Sequence, residues 1–245
     1  MLKEYHGNSL YRLEYLPTVL IPIFFALIDS HKSILNVMPF IIGWCFLALG
    51  LFLMNDVIDQ DRTLELSRRA LFFLYIMCLT LGFSLIRPHG LYFALLFSVI
   101  GALYNLKLKY LPFFKNIFLI MLLGLPYLDF TSHIRILTII PFFFLGLFAE
   151  LVHSLADRDV TFQRLQRKTI YLAFFSSVAF LVFSVVNIIV ADFNYYIPLT
   201  VIAILGTLGV LFIWNKPDRW PLAKKLGTEI FNLFTIYLLI QLLFR

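Results

Sequence analysis

The stretch FLALGLFLMNDVIDQD, residues 46–61, carries nine apolar positions straight into Asn55, Asp56, Asp59 and Asp61. An apolar run of this kind, extended back to about residue 34, is built to lie in lipid. Charge at its end is expensive and tends to be kept for ion or substrate work. If the helix continues through the acids, Asp56 and Asp59 stand at i and i+3, and Asn55 and Asp59 at i and i+4. All three side chains then share one face. Two or three oxygen ligands on one face suit a hard divalent cation such as Mg2+, which keeps several waters and takes its other ligands from phosphates. The stretch has the chemistry of half a diphosphate site.

The rest of the chain agrees with a membrane setting. Hydrophobic residues fill 61% of the 245 positions and charged ones 14%, with 28 Phe, which excludes an ordinary soluble domain and a disordered chain. Cys45 and Cys78 each sit inside an apolar run, so buried free thiols are expected and neither a disulfide framework nor a thiolate metal site. Lys3, Glu4, His6 and Arg12 precede the first apolar core. That opening does not resemble a cleaved signal peptide, and the first helix is expected to stay in the mature chain.

Apolar stretches of spanning length fall at about 13–31, 34–54, 70–87, 90–106, 111–129, 134–152, 170–191, 195–214 and 226–244. The expected architecture is therefore all-α, a polytopic bundle of nine transmembrane helices around a central cavity, formed by residues 1–245 as a single integral-membrane domain. Pro22 and Pro126 are candidate kinks. Sixteen of the twenty Lys and Arg lie on the N-terminal segment and on the connections 2–3, 4–5, 6–7 and 8–9, while Lys32, Arg87, Arg135 and Arg245 lie on the other side. The positive-inside rule then puts the N-terminus and those connections in the cytoplasm, at the inner membrane if the source is bacterial. Topology alone accounts for the net charge of +6, and no nucleic-acid partner is called for.

Carboxylates accumulate on two connections, both on the expected cytoplasmic side. The second, residues 150–169, aligns Glu150, His153 and Asp157 at i, i+3 and i+7 as one helical stripe, followed by Arg158, Asp159 and the basic residues Arg164, Arg167 and Lys168. Two acidic segments facing one another across a cavity and ringed by cations are what Mg2+-diphosphate chemistry requires: carboxylates hold metal, metal bridges phosphates, and Lys or Arg neutralises the remaining charge. The structural alternatives are an ion pair of Glu150 with Arg158 or a helix-end lysine, and a hydrogen-bonded spacer role for His153, since Mg2+ prefers oxygen.

At these residues the chain resembles the UbiA superfamily of intramembrane prenyltransferases, whose first motif is NDxxDxxxD and whose second is DxxxD. The first reads NDVIDQDRT here, matching Asn55, Asp56 and Asp59 and placing Thr63 at the last aspartate. The second reads DRDVT, matching Asp157 and placing Thr161 at the last aspartate, with Asp159 between. Tyr104-Asn105-Leu106-Lys107-Leu108-Lys109 with Asn116 is similar to the family's YxxxLK segment and following asparagine. Gln166 to Thr169 is similar to its lysine-threonine stretch, and Arg12 to Pro17 to its arginine-led entry.

The resemblance implies an Mg2+-dependent transfer of a prenyl group from an isoprenoid diphosphate to a lipophilic small-molecule acceptor, in contact with membrane lipid. Asn55, Asp56, Asp59, Asp157 and Asp159 would hold metal, with Asp61 another displaced ligand. Arg12, Lys109, Lys168, Tyr104 and Asn116 would meet substrate. Diphosphate departure would leave an allylic cation, which rings such as Phe97, Tyr104, Phe142 and Phe148 can stabilise by their faces, though each also suits helix packing or lipid contact. A terpene cyclase and a catalytically degenerate binding or assembly protein are the alternatives that the two threonines and the motifs leave open.

Overall fold

The computed structural model describes residues 16–59, 67–131, 136–191 and 196–244, with the backbone alone given for Asp59, Leu123 and Ala191. All regular structure among them is helical: α1 (Pro17–Asp29), α2 (Met38–Asp59), α3 (Arg68–Leu85), α4 (Leu91–Leu106), α5 (Phe114–Phe130), α6 (Ile136–Asp157), α7 (Val160–Leu165), α8 (Arg167–Ala191), α9 (Tyr196–Ile213) and α10 (Trp220–Leu243). Seven of these, α2, α3, α4, α6, α8, α9 and α10, are long and apolar enough to cross a bilayer, and the chain is an integral membrane protein. The other two expected spans are the shorter helices α1, of 13 residues, and α5, of 17. At about 1.5 Å per residue they measure roughly 20 and 26 Å, below the ~30 Å hydrocarbon core.

Lipid is the solvent that this surface fits. Phe212 is 79% exposed, Ile189 76% and Phe73 69%, a display of bare apolar side chains that water would penalise by roughly 2 kcal/mol apiece. Helices α1, α5 and α6 continue through Pro22, Pro126 and Pro141. Ser67 caps α3 by accepting from Ala70 N at 3.2 Å, which replaces one of the partners a helix start lacks.

Two compact units make up the chain. The first comprises the described residues of Met1–Leu106, Leu125–Thr131 and Leu238–Arg245, and the second those of Lys107–Gly124 and Ser132–Tyr237.

In the first unit α2 is central: it packs on α1, α3 and α4. Glycine permits the closest of these approaches. A Cβ at Gly82 would sit 2.7 Å from Leu47 Cδ2 and 3.1 Å from Gly43 O, and one at Gly101 would sit 2.2 Å from Leu51 Cδ1. Helices in lipid associate through such packing, since burial from water drives nothing there. Leu53, Leu71 and Cys78 form a small core beside them, and Asn105 Nδ2 donates to Leu51 O at 2.9 Å, tying the end of α4 to α2.

The other end of α2 meets a buried carboxylate that no sequence pattern announced. The Asp129 side chain is fully inaccessible. Its Oδ2 accepts from Trp44 Nε1 at 2.8 Å, and the Arg87 guanidinium donates to Asp129 O at 2.9 Å and to Oδ1 at 3.4 Å. His89 Nε2 lies 3.5 Å from the same Oδ1. Arg87 is held between the rings of Phe40 and Phe130, 5.0 and 4.9 Å from their centroids. Lys32 Nζ donates to Phe130 O at 2.7 Å, and Tyr127 Oη to Asp29 Oδ2 at 3.1 Å.

The second unit is built on α6, α8 and α9, with α7 against α6 and α8. Ile120, Leu147, Leu151, Val152, Leu155, Ala173, Val210 and Trp220 form its core. Near residue 158 the chain breaks the long helix. Arg158 adopts φ 51°, a left-handed conformation that ends α6 at the cost of some strain for a residue with a Cβ. Asp159 then caps α7, its Oδ1 accepting from Thr161 N at 2.8 Å and Phe162 N at 3.3 Å. Gln166, at φ 47°, makes a second reversal before α8. The sequence reading had no helix corresponding to α7.

Candidate functional site

The first acidic segment lies where the spacing puts it, on the last turn of α2, whose helix runs unbroken through Asp59. Asn55, Asp56 and Asp59 therefore stand on one continuous helix, at the spacing from which a shared face was expected. Asp56 is buried at 2% exposure and Asn55 half-buried. Asn105 grips α2 one turn before Asn55, so the YNLKLK stretch supports this segment through its asparagine, a role the sequence reading did not assign. Tyr104 is half-buried beside it on α4. Arg12, Asp61 and Thr63 lie outside the described residues, and the Asp59 side chain is not described.

The second segment belongs to the second unit and is built differently. Glu150, His153 and Asp157 do lie on one continuous helix, α6. The carboxylate at its end and the one just beyond it are each met by a lysine. Asp157, at the helix end, receives Lys224 Nζ of α10 on both oxygens, at 2.9 and 2.7 Å. Asp159 receives Lys115 Nζ from the first turn of α5. Burial alone would raise the Asp159 pKa, but the Lys115 charge, with hydrogen bonds from Lys115, Ser154 and Phe162 N–H, outweighs it and holds the carboxyl below its usual range. Glu150 and His153 feel the charges of the same four residues.

Behind these pairs runs a buried chain of hydrogen bonds. Phe113 N donates to Thr161 Oγ1 at 3.0 Å, Thr161 Oγ1 donates to Asn116 Oδ1 at 3.0 Å, and Asn116 Nδ2 donates to Ser154 Oγ at 3.1 Å. Asn116, Thr161 and Ser154 are each 0% exposed. Thr161, the expected replacement for a metal-binding aspartate, thus spends its hydroxyl on joining α5 to α7, and Asn116 has both ends of its amide engaged within the protein. Of the other expected substrate residues, Lys109 lies in the turn after α4, its Nζ 5.3 Å from the Tyr110 ring centroid, and Lys168 is exposed at the start of α8. Phe97 is 2% exposed and packs edge-on against Trp44 at 5.3 Å; Phe142 lies against Tyr196 at 6.5 Å.

The donor set can be tested against a divalent cation. Among the described residues no three His, Cys, Asp or Glu side chains converge as a metal site. On the last turn of α2, an amide oxygen and two carboxylates at helical spacing suit Mg2+ with its remaining ligands from water and phosphate. The second segment does not fit one as arranged, because two of its three carboxylates, Asp157 and Asp159, are already paired with ammonium groups. Lys115 and Lys224 are the residues that sequence reasoning missed. In the sequence each is one more basic residue on a basic loop, and their partners stand 44 and 67 positions away.

No family model matches the sequence, and no curated protein does. Solved structures share the fold along nearly the whole chain. A digeranylgeranylglyceryl phosphate synthase superposes with a TM-score of 0.67 at 19% identity, covering 96% of this chain and 97% of that one. A UbiA homologue from Archaeoglobus fulgidus bound to DMAPP and Mg2+ gives 0.70 at 16% identity, over 96% and 97%. The apo UbiA homologue from Aeropyrum pernix K1 gives 0.74 at 14% identity, over 94% and 98%. The fold of this chain is the UbiA fold.

Proposed function

We propose that the chain is an intramembrane prenyltransferase of the UbiA type, which moves a prenyl group from an isoprenoid diphosphate to a lipophilic acceptor in an Mg2+-dependent reaction. The observation that carries this reading is the Asn55, Asp56 and Asp59 face closing a 22-residue apolar helix, in a fold whose solved examples include a homologue bound to DMAPP and Mg2+. Helix α2 offers oxygen ligands of the number and hardness that Mg2+ takes beside a diphosphate, at a membrane boundary where acidic residues tend to be kept for function.

When bound there, Mg2+ supplies charge neutralisation to the departing diphosphate. The side chains do the rest. Asn55, Asp56 and Asp59 would hold the ion, and Asn105 keeps their turn of α2 in place. Arg12, Lys109, Lys168 and Tyr104 are the substrate residues that the family resemblance of their segments implies. The carbon–oxygen bond to the prenyl group breaks with its electron pair leaving on the diphosphate, and the acceptor bonds to the resulting allylic cation and loses a proton. The positive-inside pattern assigns the acidic connections to the cytoplasm. The lysine-held carboxylates of the second segment favour one rival, a protein of this fold that binds its ligand without turning it over.

Purified protein in lipid vesicles, given a prenyl diphosphate with candidate acceptors, should release diphosphate only with Mg2+ present. Release equally fast in EDTA, or no release with any donor, overturns the reading.

A further inference from the structure

Lys115 and Lys224 sit at the second acidic segment with donor capacity to spare. An ammonium carries three N–H donors. Among the described residues, Lys115 uses one acceptor, Asp159 Oδ2, and Lys224 uses the two oxygens of Asp157. Neither lysine is solvated like a surface cation, with side chains 13% and 26% exposed. Both come from outside the acidic segment, one from α5 and one from α10, and converge on it. Asp159 cannot easily turn away toward a metal, because its other oxygen caps α7. Thr161 is committed to Phe113 and Asn116.

We infer that the second unit binds the diphosphate directly through Lys115 and Lys224, and that these two ammonium groups take over the charge neutralisation that a second divalent cation would supply. Asp157 and Asp159 are then positioning residues: each holds a lysine by one or two of its N–H groups and leaves the remainder for phosphate oxygens, where charge-assisted hydrogen bonds are strongest. The inference rests on the prenyltransferase reading for its ligand, and it reverses the expected role of both aspartates, from metal ligands to orienters of cations.

The test uses the full chain in nanodiscs, with inorganic pyrophosphate as the probe and calorimetric titration in EDTA and in Mg2+. Wild-type protein should bind pyrophosphate in EDTA, and Lys115→Met and Lys224→Met should each weaken that binding roughly tenfold, the size of one charge-assisted hydrogen bond. Asp159→Asn keeps an acceptor for the α7 cap and removes the counter-charge, so it should tighten metal-free binding. Lys115→Arg, which keeps the charge should the methionine variant not fold, should retain binding. The inference is overturned if the lysine variants bind as wild type, or if Asp159→Asn raises the Mg2+ needed for pyrophosphate binding, as loss of a metal ligand would. Pyrophosphate binding that follows the lysines without any prenyl diphosphate turnover leaves the anion site standing and removes the enzymatic reading; turnover with indifferent lysine variants does the reverse.

Discussion

Asp129 and the pair Asp157 and Asp159 are both acids at helix ends of a membrane protein, and they are partnered in opposite ways. Asp129 is sealed: its side chain has no accessible surface, and its donors are an indole N–H and a guanidinium held between two rings. Each is rigid or fixed in its geometry. Asp157 has 54% of its side chain exposed, Asp159 20%, and both are met by lysines, point charges on flexible stems. The difference separates a carboxylate that locks helices together from one whose partner is free to share itself with a ligand. A charge in a membrane protein is functional in proportion to how exchangeable its partner is, and burial alone does not decide it.

The comparison breaks most visibly at Asp129. Asp129→Ala should cost about 3–5 kcal/mol, because Arg87 is left buried without its counter-ion, and thermal unfolding in detergent reads this as a large loss of stability. A variant as stable as the wild type would show that the sealed carboxylate is no lock. Asp59→Ala sharpens the other side. It should lower Mg2+-dependent diphosphate release by more than about a hundredfold, beyond the loss expected for an outer-shell partner of a metal, while the thermal midpoint stays close to that of the wild type. Retained turnover removes Asp59 from the site.

Thr161→Val tests the hydrogen-bonded support behind the lysines. It orphans Phe113 N and Asn116 Oδ1 inside the protein, for an expected loss of about 1–3 kcal/mol; an unchanged midpoint would mean that water replaces the hydroxyl. Asp157→Asn should be nearly silent in stability, within ~1 kcal/mol, as exposed ion pairs are. The smallest effect is in acid. The folded-state pKa of Asp159 is depressed by Lys115, so the pair's contribution is fully present above the unfolded value of about 3.9 and is lost as pH falls through the folded value. Stability of the wild type should decline more steeply below about pH 4 than that of Asp159→Asn, and parallel curves would deny the pair any weight.

Much of this was legible in sequence, for physical reasons. Apolar length located the helices to within a few residues, and acidic spacing placed Asn55, Asp56 and Asp59 on one turn, because both are properties of a local, periodic chain. The break at Arg158 was not legible: no glycine or proline marks it, and its φ of 51° immediately precedes the Asp159 cap of α7. The roles of Lys115, Lys224 and Asn116 depend on contacts 38 to 67 residues apart, which no local pattern encodes. Asp29 and Asp129 escaped notice because each stands alone in its stretch of sequence.

The sealed carboxylate also sets a timetable for synthesis. Trp44 and Arg87 are both made before Asp129, Arg87 by 42 residues. At roughly 5–20 residues per second, the arginine waits about 2–8 s for its acid. During that interval α2 and α3, whose backbones meet at Gly43 and Gly82, are both already made. The guanidinium lacks its acid until α5 arrives, which makes the delivery of residue 129 the moment at which the charge in this half of the protein is locked.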